Sequence, residues 1–413
     1  MSLGDNMKLF FKKLIPEPLR LILLRFDFIR KFTYKLQKKH VISIPIKWLD
    51  EYNKKVLLKQ KESSRQTSPD YGKGSQTLLN ESPDVFLYQF ENAIVSVNSS
   101  SVLTNDLLYI ERFQGINQKK ARYVSGHLKW HSLNKADYEI NNKQEIKQNV
   151  LFLGGNGSFN YFHWLIELVP KLLLLNNDII NKYNIEAIVV NEIVSKNNNF
   201  KTILNVLNAK INLPIIYLNE SRTYSIHKVF YITTFNNALY NSTNNYSDIS
   251  FFYFSTILIN QFIKTLKNNL GQIKADNSEK YPNKIFLWRG KVNSFNKRDY
   301  NQDETFQFFK KYGFQKIKPE EYSFFEQIKL FENATHIIGP SGAFWANVIF
   351  CKKNTKCLSW LDKKFENFSV YSTLANIINA KMRFVLTNNN SKELHGPYTV
   401  KLKKFEGISE YYI

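Results

Sequence analysis

Short apolar runs and amphipathic stretches alternate along the chain from residue 149 onward. The apolar runs have the length of buried strands, and the stretches between them show the apolar spacing of helices. Such an alternation is typical of parallel α/β sheets. The pattern predicts strands at VLFLGG, EAIVV, PIIYL, KVFYIT, KIFLWRG, FQKI, HIIGP, KCLSW and RFVLT, and helices over 160–178, 198–208, 250–270, 302–312, 323–332, 342–350 and 370–380.

Three other regions interrupt this alternation. Residues 84–131 hold short β-like pieces joined by turns, which predicts a small strand-rich entry region. Residues 59–83 are polar and rich in Ser, Gly and Pro, which predicts a flexible loop or linker, and residues 271–283 predict an inter-domain linker. We therefore expect a basic N-terminal segment over 1–45, an α/β domain over 46–270, a second α/β domain over 284–380, and a tail over 381–413 that packs back on the N-terminal domain.

The first forty residues combine aromatic and aliphatic side chains with many lysines and arginines. No apolar run among them reaches the ~18 residues that span a bilayer, because Arg20, Arg25, Asp27 and Arg30 interrupt it. The composition suits a basic amphipathic segment that lies on an anionic membrane surface. It suits equally well a basic helix that packs on the domain, since amphipathicity marks any surface helix.

The most informative local pattern is a histidine and a glutamate four residues apart, directly after a glycine-rich turn. The turn is Gly155-Asn156-Gly157, and the helix that follows would carry His163 and Glu167 on one face. An imidazole titrates near neutrality and suits a general base, and a carboxylate beside it can orient the ring or serve as the base itself. The alternative is a hydrogen-bonded histidine in an ordinary helix core.

A second cluster of motifs lies between Lys284 and Phe350. It holds Arg289 after a strand, Arg298 before Asn301-Gln302-Asp303-Glu304, then Ser323-Phe324-Phe325-Glu326-Gln327, and finally Gly339-Pro340-Ser341-Gly342-Ala343 followed by Asn347. Together with NYFHWLIE, this ordered set resembles glycosyltransferase family 61 over roughly residues 145–360. One position departs from the family, which usually has His where this chain has Ser341. A hydroxyl can hydrogen-bond a phosphate or a ribose, but it cannot take a positive charge.

The resemblance implies a GT-B-like architecture, in which two Rossmann-like domains face a central cleft. Ligands of open α/β sheets bind beyond the carboxyl ends of the strands, and both Arg289 and the Gly339 turn fall at such ends. The resemblance also implies an inverting glycosyltransferase, which moves a hexose or a pentose from a nucleotide-sugar.

Such a donor requires stabilisation of its leaving pyrophosphate, either by a divalent metal or by cations and helix-terminal N–H groups. The chain has no D-x-D motif, so we expect no metal and no other cofactor, with guanidinium groups in the metal's place. For Glu326, ribose binding and support of the glycine turn are both open. The resemblance assigns donor binding to Arg289, Arg298, Glu326, Gly339, Ser341, Gly342, Ala343 and Asn347, and catalysis to His163 and Glu167.

Length and composition narrow the classes of protein. A chain of 413 residues with 43% hydrophobic content can bury sizeable cores. Its net charge of +22 attracts polyanions, but the basic residues are spread along the chain without a nucleic-acid-binding module, so we expect no nucleic-acid partner. The spacing of Cys351 and Cys357 fits neither a CxxC pair nor a zinc site, which indicates reduced, partly buried thiols in a cytosolic protein.

Two functions remain from these observations. The first is a transferase that moves a sugar, preferably from a UDP-sugar, to a bacterial capsular or other cell-surface polysaccharide or a lipid-linked glycan. We expect it in the bacterial cytoplasm, peripheral at the inner face of the cytoplasmic membrane, and a homo-oligomer is open. The second is a Rossmann-type oxidoreductase that binds NAD(P), but Asn160 stands where the third glycine of G-x-G-x-x-G belongs.

Overall fold

The computed structural model describes residues 26–111, 123–238, 252–269, 281–289, 298–388 and 396–413. Its strands are β1 (Val41–Trp48), β2 (Lys55–Lys59), β3 (Glu62–Thr67), β4 (Thr77–Ser82), β5 (Val85–Val95), β6 (Ser101–Leu103), β7 (Leu108–Ile110), β8 (Leu128–His131), β9 (Lys135–Glu139), β10 (Gln144–Phe152), β11 (Ala187–Asn191), β12 (Ile215–Leu218), β13 (Tyr224–Ile232), β14 (Asn237–Ala238), β15 (Phe252–Tyr253), β16 (Lys284–Leu287), β17 (Gln315–Ile317), β18 (His336–Pro340), β19 (Lys356–Asp362) and β20 (Lys381–Thr387).

The described α-helices are α1 (Asp27–Leu36), α2 (Tyr161–His163), α3 (Asn177–Tyr183), α4 (Ile193–Lys196), α5 (Asn198–Asn208), α6 (Thr256–Asn268), α7 (Gln302–Lys310), α8 (Phe324–Asn333) and α9 (Val370–Ile377). A π-helical turn covers Trp164–Leu168. Short 3₁₀ helices cover Leu49–Glu51, Val169–Leu174, Pro319–Glu321, Ala343–Phe350, Lys363–Phe365, Leu402–Phe405 and Ser409–Tyr411. None of the helices in these ranges is both long enough and apolar enough to cross a bilayer.

The first half of the chain forms an 11-stranded mixed sheet in the order β12-β11-β10-β13-β5-β6-β7-β1-β9-β8, with β2 beside β5. Strands β12, β11, β10 and β13 are parallel neighbours, whereas β5 runs antiparallel to β13. Every residue of β11 is buried, as expected of a parallel strand covered on both faces. The strand-rich entry region predicted over 84–131 joins this sheet through β5 to β8.

The second half forms a five-stranded parallel sheet in the order β17-β16-β18-β19-β20, so the α/β class is confirmed. One hydrophobic cluster joins the two sheets, since it contains Leu151 and Leu165 from the first half and Leu287 and Ile337 from the second. The predicted linker falls mostly on residues 270–280, outside the described ranges. The GT-B layout with a central cleft and the domain boundaries therefore stay predictions.

The segment predicted as a flexible linker is instead the hairpin β3–β4. Its polar side chains Ser64, Gln66, Thr67 and Ser82 are buried, and the Ser64 hydroxyl donates to a backbone carbonyl 190 residues away along the chain. The Thr67 N–H donates to the Thr373 hydroxyl of α9, and Asp70 pairs with Arg383 of β20 at 3.0 Å. The prediction failed because these polar residues hydrogen-bond the second half of the chain, whereas we had assigned them to solvent.

The tail predicted over 381–413 contacts both halves of the chain. Strand β20 is an edge of the C-terminal sheet, and most of the apolar side chains of residues 396–413 belong to a cluster of that sheet. Val400, Phe405 and Tyr412 share this cluster with Phe286 and Phe309. Residues 396–413 thus complete the core of the second half, whereas Arg383 of β20 pairs with Asp70 of the first half. Packing of the whole tail on the N-terminal domain stays a prediction.

Helix predictions succeeded or failed according to local chemistry. Helix α5 occupies the predicted range 198–208, with an Asn197 side-chain cap. The single helix predicted over 160–178 is instead α2, a π turn and a 3₁₀ turn in succession. Pro170 lies at the start of the 3₁₀ turn, where it has no N–H to continue a regular helix. The helix predicted over 342–350 is likewise a 3₁₀ helix.

Candidate active site

His163 and Glu167 form a buried hydrogen-bonded pair. The Nδ1 atom of His163 lies 2.7 Å from one carboxylate oxygen of Glu167, and the side chains are only 8% and 7% exposed. The second carboxylate oxygen accepts the backbone N–H of Ala238 at 2.6 Å. The pair spans the junction of α2 with the π turn, a helix irregularity that is frequent at functional sites. The two residues predicted on one helix face are therefore in direct contact.

The glycine-rich turn packs closely against the imidazole of His163. Gly157 has φ +82°, and a Cβ placed there would lie 2.5 Å from Cδ2 of His163. The Asn156 N–H donates to the Ser100 hydroxyl at 2.8 Å. The turn thus contacts the protein's own side chains, in contrast to the dinucleotide cradle that the oxidoreductase alternative requires. That alternative has no support in the described turn.

A buried polar network that the sequence did not reveal adjoins the pair. Glu111 accepts the hydroxyl groups of Tyr231 at 2.6 Å and Thr234 at 3.0 Å. The Lys171 ammonium donates to the Ile232 carbonyl at 2.8 Å. Burial lowers the pKa of Lys171, whereas the charges of Glu111 and Glu167 raise it. Lys171 follows Glu167 by four residues, which was a detectable spacing, but Glu111 lay in no motif.

The second group of predicted residues meets around Arg289. Its guanidinium donates to the backbone carbonyl of Arg298 at 3.1 Å and to that of Ser341. Its backbone N–H and carbonyl are both held by the Gln302 amide, at 2.9 and 3.1 Å. Arg289 therefore joins the loop after β16, the segment that leads into α7, the first residue of α7 and the turn after β18. Gln302 lies in the Asn301-Gln302-Asp303-Glu304 motif, but the motif alone does not indicate this contact.

Positive charge concentrates at this point, which we call the arginine cluster (Arg289 and Arg298). Burial lowers the pKa of Arg298, and the charge of the neighbouring Arg289 lowers it further. Tyr371, Tyr398 and Asp362 act in the opposite direction and raise this pKa. Two guanidinium charges that are close together and partly buried repel each other, and a bound anion reduces this repulsion. Guanidinium groups also match the geometry of phosphate oxygens. The cluster can therefore bind a multiply charged anion.

Two tyrosines that the sequence analysis missed border the arginine cluster. Burial raises the pKa of Tyr371, while the charges of Arg298 and Arg289 and a hydrogen bond with Ser341 oppose the rise. Burial also raises the pKa of Tyr398, whose hydroxyl accepts the indole N–H of Trp360 at 3.0 Å. Neither tyrosine belongs to a motif, so no sequence signal pointed to them.

The arginine cluster and the His163 pair are close neighbours. The Phe162 ring lies 5.4 Å from the His163 ring and 6.1 Å from the Tyr371 ring, both edge-on. The charges of both arginines in turn lower the pKa of Tyr371. One aromatic pair therefore separates the histidine from the cationic group, although the two come from opposite halves of the chain.

The side chains of Asn347 and Glu326 hydrogen-bond other residues of the protein. The Tyr161 hydroxyl donates to Asn347 Oδ1 at 2.7 Å, and the Asn347 amide donates to Gln327 Oε1 at 2.8 Å in the buried interior. Glu326 accepts the Ser323 N–H at 2.9 Å as the capping box of α8. These contacts connect the two halves and start a helix, so they favour support over donor contact.

The glycine turn is shaped by close packing. A Cβ at Gly339 would lie 2.6 Å from the Leu287 Cβ, so the glycine lets β18 and β16 approach. Gly342 is the N-cap of the 3₁₀ helix that Ala343 begins, without a side-chain cap. Ser341 contributes its carbonyl to Arg289. Contact of these residues with a donor stays a prediction.

Across the described ranges, no group of three or more His, Cys, Asp or Glu side chains could hold a metal ion. Cys351 and Cys357 are unpaired as a disulfide and buried. Burial raises the pKa of the Cys351 thiol, and its hydrogen bond with Cys357 raises it further.

The mixed α/β fold, with a histidine–carboxylate pair beside an arginine cluster, is consistent with an α/β glycosyltransferase. The family model described as Glycosyltransferase 61 matches residues 161–358, a range that contains both His163 and the arginine cluster. These residues form a glycosyltransferase family 61 domain, and the protein is a glycosyltransferase. No curated protein matches the chain.

Proposed function

We propose that the protein is an inverting glycosyltransferase that moves a sugar from a nucleotide-sugar, preferably a UDP-sugar, to a cell-surface polysaccharide or a lipid-linked glycan. The observation that carries the proposal is the closeness of a buried histidine–carboxylate pair to the arginine cluster, with Phe162 and Tyr371 between them. The family supplies a sugar donor and a glycan acceptor as the substrate classes.

The pair is suited to take a proton from the acceptor. With the carboxylate of Glu167 at Nδ1, the neutral imidazole of His163 carries its proton on Nδ1 and its lone pair on Nε2. In the proposed reaction the acceptor oxygen forms a bond to the anomeric carbon while its proton passes to Nε2. The bond from that carbon to the β-phosphate oxygen breaks, and the electron pair leaves with the nucleoside diphosphate.

The arginine cluster is suited to stabilise that leaving group. Negative charge grows on the β-phosphate as the bond breaks, and fixed cations beside it lower the energy of the transition state. Arg289 is held in place by the Arg298 and Ser341 carbonyls and by Gln302, so little reorganisation is required during the reaction. The absence of a D-x-D motif from the sequence supports a metal-independent reaction.

A thermal-shift series tests the donor. We expect UDP to raise the melting temperature in the presence of EDTA, because a ligand that binds only the folded state stabilises it. GDP, CMP and NAD serve as comparison ligands. Stabilisation that appears only with Mn²⁺ or Mg²⁺ would contradict the metal-independent proposal, and stabilisation by NAD alone would favour the oxidoreductase alternative.

The variant His163→Ala tests the base. Release of UDP from a panel of UDP-sugars, with membrane glycolipids or polysaccharide as acceptor, should fall by ~10²–10⁴. The UDP-induced shift in melting temperature should remain. A folded variant with near-normal turnover would eliminate His163 as the base, and Glu167 would be tested next.

A further inference from the structure

Helix α1 has its arginine inside and its phenylalanines outside. Arg30 is only 2% exposed, whereas Phe28 is 71% and Phe32 57% exposed. Phe28 and Phe32 are four residues apart, so they share one face of the helix. A surface helix of a globular protein normally buries its apolar stripe and exposes its charges. The orientation of α1 is the reverse of this pattern.

The buried contacts hold the helix in this orientation. The Arg30 Nε donates to Asp137 at 2.7 Å, and the guanidinium carbon lies 3.6 Å from the Trp130 ring centroid. The Tyr34 hydroxyl adds a bond to Asp137 at 3.3 Å. Turning the phenylalanines inward would leave Asp137, which is fully buried, without its cation, and that is strongly unfavourable.

The exposed aromatic face continues beyond the helix. Phe26 is 51% exposed, with its ring 6.2 Å from that of Phe28. Leu133, in the turn between β8 and β9, is 52% exposed. This turn leads into Lys135, whose ammonium lies 4.0 Å from Asp27 at the start of α1. We call this set the α1 outer face (Phe26, Phe28, Phe32 and Leu133).

Positive charge surrounds the α1 outer face. Lys31 and Lys35 are exposed on the helix itself, and Lys135 lies at its start. Asp27 is the only acidic residue of α1, and its carboxylate is shared by Arg30 and Lys31 at 2.8 Å each. Exposed aromatic rings among ammonium groups match the boundary of an anionic bilayer, where rings enter the acyl region and lysines meet phosphates.

We infer that the α1 outer face docks the protein on an anionic lipid surface. Contiguous exposed apolar patches usually mark an interaction site, and the charge around this one selects the partner. A second copy of the chain is a poorer occupant, because each copy carries a net charge of +22 and would bring its own lysines against those of the other. Anionic headgroups neutralise the same lysines. The inference does not depend on the identity of the sugar donor.

Co-sedimentation of the full chain with vesicles tests the inference. We expect binding to phosphatidylcholine vesicles that contain phosphatidylglycerol, weak binding to pure phosphatidylcholine, and loss of binding as salt rises. The double variant Phe28→Ser/Phe32→Ser should reduce binding to the anionic vesicles roughly tenfold or more, because much of the buried apolar area is removed. Its melting temperature should not fall, since both side chains are exposed.

The control is Leu79→Ser/Ile257→Ser, which removes two apolar side chains that are 67% and 61% exposed on other elements. This control should bind vesicles as the unmodified chain does. Equal binding by Phe28→Ser/Phe32→Ser, or no binding by the unmodified chain, would overturn the inference. Sedimentation velocity decides the remaining case: a dimer that the double variant converts to a monomer, without any change in vesicle binding, would assign the face to a second copy.

Discussion

The carboxylate of Glu167 holds the imidazole of His163 through one oxygen and the backbone N–H of Ala238 through the other, at 2.7 and 2.6 Å. With both oxygens engaged, the carboxylate has little freedom to rotate. The Nδ1–H of the imidazole is then fixed toward Glu167, and Nε2 is the atom that can accept a proton. Orientation of the histidine thus follows from a backbone contact 71 residues away from the glutamate along the chain.

Glu167→Gln should remove most transfer activity without unfolding the protein. The amide is nearly isosteric, but its NH₂ group can donate to Nδ1 and so place the imidazole proton on Nε2, where it blocks the base. We expect turnover to fall by ~10²–10⁴ while the UDP-induced thermal shift is retained. The matched control is Glu91→Gln, an exposed glutamate of β5. Turnover near that of the control would show that Glu167 does not set the imidazole proton.

Arg289→Ala should weaken binding of the donor nucleotide. Loss of a charge-assisted contact to phosphate costs on the order of 1.5–3 kcal/mol, which calorimetry with UDP can measure. The variant also releases the carbonyls of Arg298 and Ser341, so some loss of stability should accompany the loss of affinity.

Two further variants make the Arg289 prediction specific. Arg65→Ala removes an exposed arginine from β3 and should leave UDP affinity unchanged. Arg289→Lys keeps the charge but loses the planar fork, so its affinity should lie between those of the alanine variant and the unmodified protein. Unchanged UDP affinity in folded Arg289→Ala would remove this residue from the donor site.

The sequence predictions that succeeded depend on interactions between residues a few positions apart in the chain. Helix α5 lies where a helix near 198–208 was predicted, because the apolar spacing of a helix acts over a few residues, and the Asn197 side chain caps its start. The contact between His163 and Glu167 was expected because helical geometry places residues four apart on one face. The same reasoning overlooked the π turn, since nothing in the local pattern distinguishes it from an α-helix.

Contacts between distant segments account for the predictions that failed. The Thr67 N–H donates to the Thr373 hydroxyl across 306 residues of sequence, and this contact holds an apparent linker as a hairpin against α9. Tyr371 and Tyr398 reach the arginine cluster in the same way, from outside every motif. Polar residues in a Ser-rich and Gly-rich segment fit solvent and a buried hydrogen-bonding partner equally well, so composition alone could not decide between them.

Acid should destabilise the protein partly through His127. Its Nδ1 lies 2.5 Å from the Ser96 hydroxyl, and its Nε2 is buried without a hydrogen-bond partner among the described residues. Burial lowers the pKa of His127 from 6.5 to about 4, and Lys129 adds to the effect. Between these two pH values the unfolded chain binds more protons than the folded one, so the free energy of unfolding decreases as pH falls from about 6.5 to about 4.

The contribution of His127 is at most about 3 kcal/mol, and urea unfolding at several pH values can measure it. His127→Gln removes the ionisation, so its free energy of unfolding should fall less steeply below about pH 6.5. His227→Gln, at an exposed histidine of β13, should follow the unmodified protein. Parallel pH curves for all three proteins would contradict the assignment to His127.

Gly157 and Gly407 offer a matched pair of substitutions that separates strain from function. Both have φ +82°, so alanine at either position should cost roughly 1–2 kcal/mol of stability through its unfavourable left-handed backbone. Only at Gly157 does the new Cβ meet another group, 2.5 Å from Cδ2 of His163, whereas nothing lies within 4 Å at Gly407.

We therefore expect Gly157→Ala and Gly407→Ala to differ more in turnover than in stability. In Gly157→Ala the imidazole must move or the turn must shift, and either change disturbs the 2.7 Å contact with Glu167. Displacement of a catalytic group by about 1 Å can cost ~10² in rate. Turnover and urea unfolding measured on both variants give the answer. Equal turnover in the two variants at equal loss of stability would mean that the position of the His163 ring does not control transfer, and the base would then have to be sought elsewhere.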